Sequence, residues 1–158
     1  MASFELDAFD LRLLRLLQED ARLSHVALSE KVHLSPSQCA RRLQRLEQAG
    51  VVESYAVRLN DRLVGLGVIA LVNVRLERHG KRPAATLHAS LEALPEVVEC
   101  LLTTGDADYQ LRVMVPDLES FSEFIIRKLM RIPGVAGIRS RIVLEQVKPF
   151  RGIPLPAA

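Results

Sequence analysis

The stretch Leu34-Ser35-Pro36-Ser37-Gln38-Cys39-Ala40-Arg41-Arg42-Leu43-Gln44-Arg45-Leu46-Glu47 permits little other than a helix with a fixed start. Ser35 is a preferred N-cap, and Gln38 three residues later completes a capping box. Pro36 falls at the first helical position, where its missing N–H costs nothing. Cys39, Leu43 and Leu46 recur at i, i+4, i+7 and form one apolar stripe. Ser37, Gln38, Arg41 and Arg45 fall on other faces. Phosphates are bound by Lys, Arg, hydroxyls and helix N-termini, and base edges in the major groove by Arg or Gln. An ordinary amphipathic surface helix with solvated arginines has the same pattern, so its neighbours decide between the two.

Two helices precede it. Asp7 can cap the first, with Asp10 in its first turn, where negative charge suits the macrodipole. Leu11, Leu13, Leu14, Leu16 and Leu17 give that helix a broad apolar face. Ser24 caps a second, shorter helix whose Leu28 and Val32 face inward, and His33-Leu34 makes a tight turn into the third. Three helices with so short a turn between the last two form a helix-turn-helix arrangement. Gly50 is a natural residue for the position just past the helix. Val51 to Val57 then reads as extended, forming either a small wing or a strand leading away, and the unit ends near Asn60.

A different rhythm begins at Gly65-Leu66-Gly67. Val68 to Glu77 reads as a strand, followed by a loop at His79-Gly80-Lys81-Arg82-Pro83 and a helix through Leu87, Leu91 and Leu94. Val97 to Thr103 reads as a second strand, and Tyr109, Leu111, Val113 and Val115 alternate in a third. Pro116-Asp117 starts a helix carrying Leu118, Phe121, Ile125, Leu129 and Ile132, and Val135 to Val147 reads as the last strand. Leu91, Leu94, Pro95 and Val97 are echoed by Leu129, Ile132, Pro133 and Val135 at one constant offset. Two β-α-β halves of this kind give a ferredoxin-like βαββαβ sandwich with both helices on one face of the sheet. The continuous apolar run Val68 to Val72 implies burial on both sheet faces, and a second copy of the chain is the simplest cover. The Pro-rich tail after Lys148 cannot continue a central strand and is expected to lie across a surface or a partner.

Composition narrows the function classes. The 158 residues are 49% hydrophobic and 25% charged, with no apolar run near the roughly 20 residues of a membrane span. The opening Met1-Ala2-Ser3-Phe4-Glu5 has no charged segment leading into an apolar one, so the cytoplasm is expected. A net charge of +2 is too mild to indicate nucleic acid by itself, so the location of the arginines matters more than their sum. Aromatics at 4%, with Phe121 and Phe124 spaced for a helix core, argue against single-strand binding by base stacking. Arg12, Arg15 and Arg22 read as solvated, with one or two near phosphate when DNA is bound, and Arg139 and Arg141 as an exposed sheet edge or subunit contact. Cys39 and Cys100 read as buried thiols with no disulfide between them. His25, His33, His79 and His88 have no metal-ligand spacing and read as solvated, so no metal is expected. Gly65-Leu66-Gly67 lacks the third glycine of a dinucleotide fingerprint and precedes a strand, so no cofactor is expected. Asp106 and Asp108 have no accompanying nucleophile or metal set, so no enzyme is expected.

Thr104-Gly105-Asp106-Ala107-Asp108 admits two readings. One is a hairpin tip in which Asp106 bonds its own backbone. The other is a site for an amino-acid zwitterion, with Asp106 or Asp108 accepting from the ammonium and Thr104 and amides near Gly105 donating to the carboxylate.

At this level the chain resembles the Lrp/AsnC family, the leucine-responsive and asparagine-operon type regulators of bacteria and archaea. The resemblance rests on Leu6-Asp7-x-x-Asp10, on Leu34-Ser35-Pro36-Ser37-Gln38-Cys39-x-x-Arg42-Leu43-x-x-Leu46-Glu47-x-x-Gly50, on Thr104-Gly105-Asp106-Ala107-Asp108-Tyr109, on Val115-Pro116-Asp117 and on Ile132-Pro133-Gly134-Val135. It implies an α+β architecture: a winged helix-turn-helix over 1–60, a linker over 61–66, a ferredoxin-like effector-binding and oligomerisation domain over 67–148, and a tail over 149–158. It implies double-stranded DNA, an amino-acid effector and the chain itself as partners, in dimers that assemble into octamers. Matched residue by residue, the DNA-facing set is Ser35, Ser37, Gln38, Arg41, Arg42 and Arg45. The effector set is Leu102, Thr104, Gly105, Asp106, Asp108 and Tyr109, near a contact between dimers. His33 stands where members usually carry glycine, and must tolerate a positive φ if the turn needs one. Ala107 stands where many members have an aromatic residue, which enlarges or weakens the expected pocket. The alternative reading is an amino-acid-sensing oligomeric scaffold whose helical domain serves protein contacts. The capped, arginine-bearing third helix speaks against it.

Overall fold

The computed structural model describes residues 4–77 and 84–156, so the expected loop at His79 to Pro83 lies outside the described residues. The chain divides into two compact units, one of residues 1–57 with 148–158 and one of 58–147. No helix among the described residues is long and apolar enough to cross a membrane.

The first unit holds α1 (Ala8–Glu19), α2 (His25–Val32) and α3 (Pro36–Gln48). Each start is fixed by a side chain accepting from a backbone N–H: Asp7 for α1, Ser24 for α2 and Ser35 for α3. The boxes at α1 and α3 are reciprocal, with Asp10 and Gln38 reaching back to the cap amides. Leu13, Leu28, Val32, Cys39, Leu43 and Leu46 form the core between the helices. His33 ends α2 at φ 58°, ψ 45°, the left-handed region, so the turn does require a positive φ. Gly50 takes φ +71° after α3, and Val51 N–H donates to the Leu46 carbonyl at 2.9 Å. This bond changes the expectation for Val51 to Val57. The Val51 and Val52 amides are both held by Leu46, the Tyr55 hydroxyl donates to Glu47 Oε1 at 2.7 Å, and no strand forms over these residues. The tail returns to this unit. Gln18 brackets the Ile153 backbone, accepting from its N–H at 2.5 Å and donating to its carbonyl at 3.3 Å, while Leu155 packs against the helical core. Arg15, read as solvated, donates to the Pro156 carbonyl.

The second unit runs β1 (Val68–Leu76), α4 (Ala84–Glu92), β2 (Val97–Leu102), β3 (Tyr109–Val115), α5 (Leu118–Glu123) and β4 (Val135–Ile142). The antiparallel sheet has the order β2-β3-β1-β4, as a βαββαβ sandwich requires. Ala70, Val72 and Val74 of β1 and Leu111, Val113 and Val115 of β3 supply the sheet side of the core. Ile69 and Leu71 alternate with these onto the second sheet face, where they are half-buried in the single chain. β4 is shorter than expected: its ladder with β1 ends at the Ile142–Ala70 pair, followed by one bond from the Val143 amide to the Ile69 carbonyl, and Leu144 and Val147 lie exposed beyond it. The last helix is also not uniform. After Glu123 it passes through a π turn (Phe124–Lys128) and a 3-10 turn (Leu129–Arg131). Phe124 and Leu129, five residues apart, are both buried, a spacing that one π turn brings into line, while Leu118 lies exposed. Gly67 is needed for close approach. Its N–H donates to the Pro116 carbonyl at 3.1 Å, and a Cβ there would meet that oxygen at 2.6 Å.

Candidate functional site

The outward face of α3 follows from its buried one. With Cys39, Leu43 and Leu46 inside, 100° per residue places Ser37, Arg41, Gln44 and Gln48 opposite the core, and all four are exposed. Gln38, Arg42 and Arg45 lie on the flank. The groove beside them is lined by Asp7, Arg41, Arg42, Gln44, Arg45 and Gln48.

The flank is already engaged. Arg42 Nη1 donates to Asp7 Oδ2 at 2.6 Å and to Asp10 Oδ1 at 2.9 Å, and Arg45 donates to Asp10 Oδ2. Asp10 is fully buried, and burying a carboxylate is tolerable only when it is paired in this way. The Arg42 guanidinium also lies 5.4 Å from the Phe9 ring centroid, and that of Arg45 lies 5.0 Å from Phe4. The Asp7 carboxylate, first among its neighbours, raises the pKa of Arg42 above its ordinary value. The Asp10 amide, followed by Arg42, holds the Asp7 carboxyl below its own. Two of the three α3 arginines assigned to DNA therefore clamp α3 to α1. Arg41 has no ion-pair partner among the described residues.

The polar residues at the start of α3 divide similarly. Ser35 Oγ accepts from the Gln38 amide at 3.2 Å, and Ser37 Oγ lies 3.1 Å from it. Gln38 Oε1 accepts from the Ser35 amide at 2.9 Å and from its hydroxyl at 3.1 Å. An amide that reads adenine needs both its oxygen and its nitrogen free, and Gln38 has only the nitrogen.

The expected effector residues gather at the β2–β3 connection. Thr103 closes it, its hydroxyl donating to the Ala107 carbonyl at 3.0 Å and its amide to the Asp108 carbonyl at 2.9 Å. Gly105 takes φ +108°, a conformation that L side chains rarely adopt, with open space around it. Leu102, Thr104 and Asp106 are exposed here, and Asp106 has no hydrogen-bond partner among the described residues. Asp108 is different: its Oδ2 accepts from the Leu76 amide at 2.7 Å, so one carboxylate oxygen fastens the loop to β1. Tyr109 is buried, its hydroxyl 2.7 Å from His88 Nε2, and its pKa is raised first by burial. His88, read as solvated, thus has a partner on β3. Cys39 is buried as expected, whereas Cys100 is exposed on the edge strand β2.

Sequence reasoning missed the clamp role of Asp10 and the outward Gln44 and Gln48. A signal for Asp10 existed: Leu13 and Leu14 follow it at i+3 and i+4, so it shares the buried face of α1.

A capped three-helix unit with a polar outward face, followed by a βαββαβ domain with an open loop site, is the architecture of a DNA-binding transcriptional regulator with its own ligand-binding domain. Comparisons with known proteins agree. Residues 6–53 match the model described as winged helix-turn-helix DNA-binding, and residues 69–153 the Lrp/AsnC ligand binding domain. The leucine-responsive regulatory protein of Salmonella typhimurium is 36% identical over 144 residues, 91% of this chain and 88% of that protein. A transcriptional regulator of Neisseria meningitidis, crystallised as its L-Met complex, superposes with a TM-score of 0.91 at 39% identity, covering 95% of this chain and 97% of that one. The feast or famine regulatory protein of M. tuberculosis, complexed with L-methionine, superposes with a TM-score of 0.86 at 30% identity, covering 94% and 99%. The chain belongs to the Lrp/AsnC family of transcriptional regulators.

Proposed function

We propose that this regulator lays α3 in the major groove of double-stranded DNA and that an amino acid, bound at the β2–β3 loop, changes its affinity or assembly. The observation that carries the DNA reading is the outward polar face of α3 on a helix whose start and seat are both fixed. Within the expected set, Ser37 and Arg41 face the groove, Ser35 presents the helix N-terminus to phosphate, and Gln38, Arg42 and Arg45 support them from the flank. The L-methionine complexes of two relatives support an amino-acid effector. Asp106 is its ammonium acceptor, and Thr104 with the exposed amides near Gly105 meets its carboxylate. Leu102 offers apolar surface beside them, and Asp108 and Tyr109 hold the loop from within.

The half-buried Ile69 and Leu71 on the open sheet face support a homodimer, which presents two α3 helices to successive grooves. Octameric assembly of those dimers is part of the same proposal.

The test is fluorescence anisotropy with DNA from upstream of the chain's own gene, titrated across salt and against each of the twenty amino acids. Tight, selective binding that falls steeply with salt, and that one amino acid shifts, is the expected result. Weak binding equal on every DNA refutes the DNA reading. Selective binding that no amino acid alters at millimolar concentration refutes the effector reading.

A further inference from the structure

We infer that base selection by α3 is carried by Arg41 and Gln44, and that Gln44 is a specificity-determining residue for adenine. The inference rests on the proposal that α3 enters the major groove, and assigns the reading within it.

The argument is one of elimination on the helix surface. A bidentate contact to guanine needs an arginine whose guanidinium is free, and one to adenine needs a glutamine or asparagine amide with both atoms free. Of the arginines, Arg42 is tied to Asp7 and Asp10, and Arg45 to Asp10. Both also lie over phenylalanine rings. Of the amides, Gln38 has its oxygen on Ser35. Gln44 and Gln48 have no hydrogen bond through their side chains among the described residues, and both are exposed opposite the buried stripe. The outward stripe from Ser37 to Gln48 is about 16 Å long at the rise of an α-helix. A recognition helix meets base edges with its N-terminal part, so Gln44 lies nearer the bases than Gln48. The middle pair is Arg41 and Gln44. Ser37 and Gln48, at the ends, are left to phosphate and sugar, which position without specifying.

The experiment is selection from a randomised duplex library with the full-length chain, comparing wild type, Gln44→Ala and Gln44→Arg. Gln44 is exposed and outside both cores, so neither substitution disturbs folding. The wild type is expected to enrich a motif with an adenine at one position of each half-site. Gln44→Ala flattens the preference there, by about 5- to 150-fold in relative affinity, the range of one bidentate pair. Gln44→Arg replaces adenine by guanine at that position and leaves the others. If the wild type enriches a motif and both variants enrich the same one, Gln44 does not read bases and the inference is overturned while the DNA reading stands. If the wild type enriches no motif, both are overturned.

Discussion

Replacing Asp10 with alanine tests the clamp between α1 and α3. The change removes the acceptor of Arg45, one of the two acceptors of Arg42, and the acceptor of the Asp7 amide at 3.1 Å. Breaking a buried pair by removing one partner costs about 3–5 kcal/mol. Two features lower that figure here. Arg42 keeps Asp7 at 2.6 Å, and the Arg45 side chain is 48% exposed, so water solvates the freed guanidinium. Loss of half the capping box adds back roughly 0.5–1 kcal/mol. The expected loss is about 2–3 kcal/mol, which lowers the melting of a unit of this size by roughly 10–20 °C. Differential scanning calorimetry of the full chain measures it. A second readout separates a clamp from plain core damage. Well below the melting transition, freed arginines reach phosphate, so the salt slope of DNA binding steepens by about 1 to 2 per α3. A loss under roughly 0.5 kcal/mol, the range of an ordinary surface substitution, refutes the clamp. Full destabilisation with an unchanged salt slope refutes the idea that Asp10 holds the arginines back from DNA.

Three further outcomes follow from local geometry. His33→Gly should stabilise the helical unit by about 0.5–1 kcal/mol in thermal melts, since a left-handed non-glycine residue costs about 1–2 kcal/mol and glycine returns part of that as unfolded-state entropy. A lower melting temperature would show that the imidazole makes a contact worth more than the strain. Gly67→Ala should destabilise the second unit by about 1–3 kcal/mol, because the Cβ meets a backbone oxygen that has no rotamer to escape into, and hydrogen exchange on β1 and β3 would register it. The Asp7 carboxyl is held below its usual value, first by the Asp10 amide and then by Arg42, so its stabilising contribution is present above pH 3.8 and is lost as pH falls through the lower folded value. Acid unfolding followed by circular dichroism should show this loss in wild type and not in Asp7→Asn.

Most of the fold was legible because its signals are local. Ser35, Pro36 and Gln38 determine the start of α3 within four residues, and the alternation of Tyr109, Leu111, Val113 and Val115 determines β3 within seven. What escaped depends on partners far along the chain. The end of β4 is set by where its pairing with β1 stops, at Ile142 opposite Ala70, some seventy residues earlier in the chain. After α3 the Val51 and Val52 amides are taken by the Leu46 carbonyl, a competition that an extended pattern does not reveal, and residues 53–57 pair with no strand among the described residues. The π turn answers to Phe124 and Leu129 both needing the core, a demand that a strict 3.6-residue stripe assigned instead to Ile125 and Leu129.

The site was legible to a smaller degree, and the reason is physical. An arginine on a recognition helix has the same letter whether it faces phosphate or a buried acid. Arg42 and Arg45 sit on the right helix, and the family pattern includes Arg42, yet their charges are answered by Asp10, 32 and 35 positions earlier, with Asp7 adding a second acceptor for Arg42. A charge counts toward a nucleic-acid interface only after the acids folded against it are subtracted. With a net charge of only +2 on the whole chain, that subtraction decides which side chains remain. On α3 it leaves one free arginine among neutral amides and a hydroxyl. Such a face adds little non-specific attraction of its own, so what α3 contributes comes chiefly from hydrogen bonds that fit. The same subtraction applies at the loop site, where Asp108 is half consumed by the Leu76 amide and Asp106 is not. Two aspartates two residues apart thus differ, one holding the loop and the other exposed with no hydrogen-bond partner among the described residues.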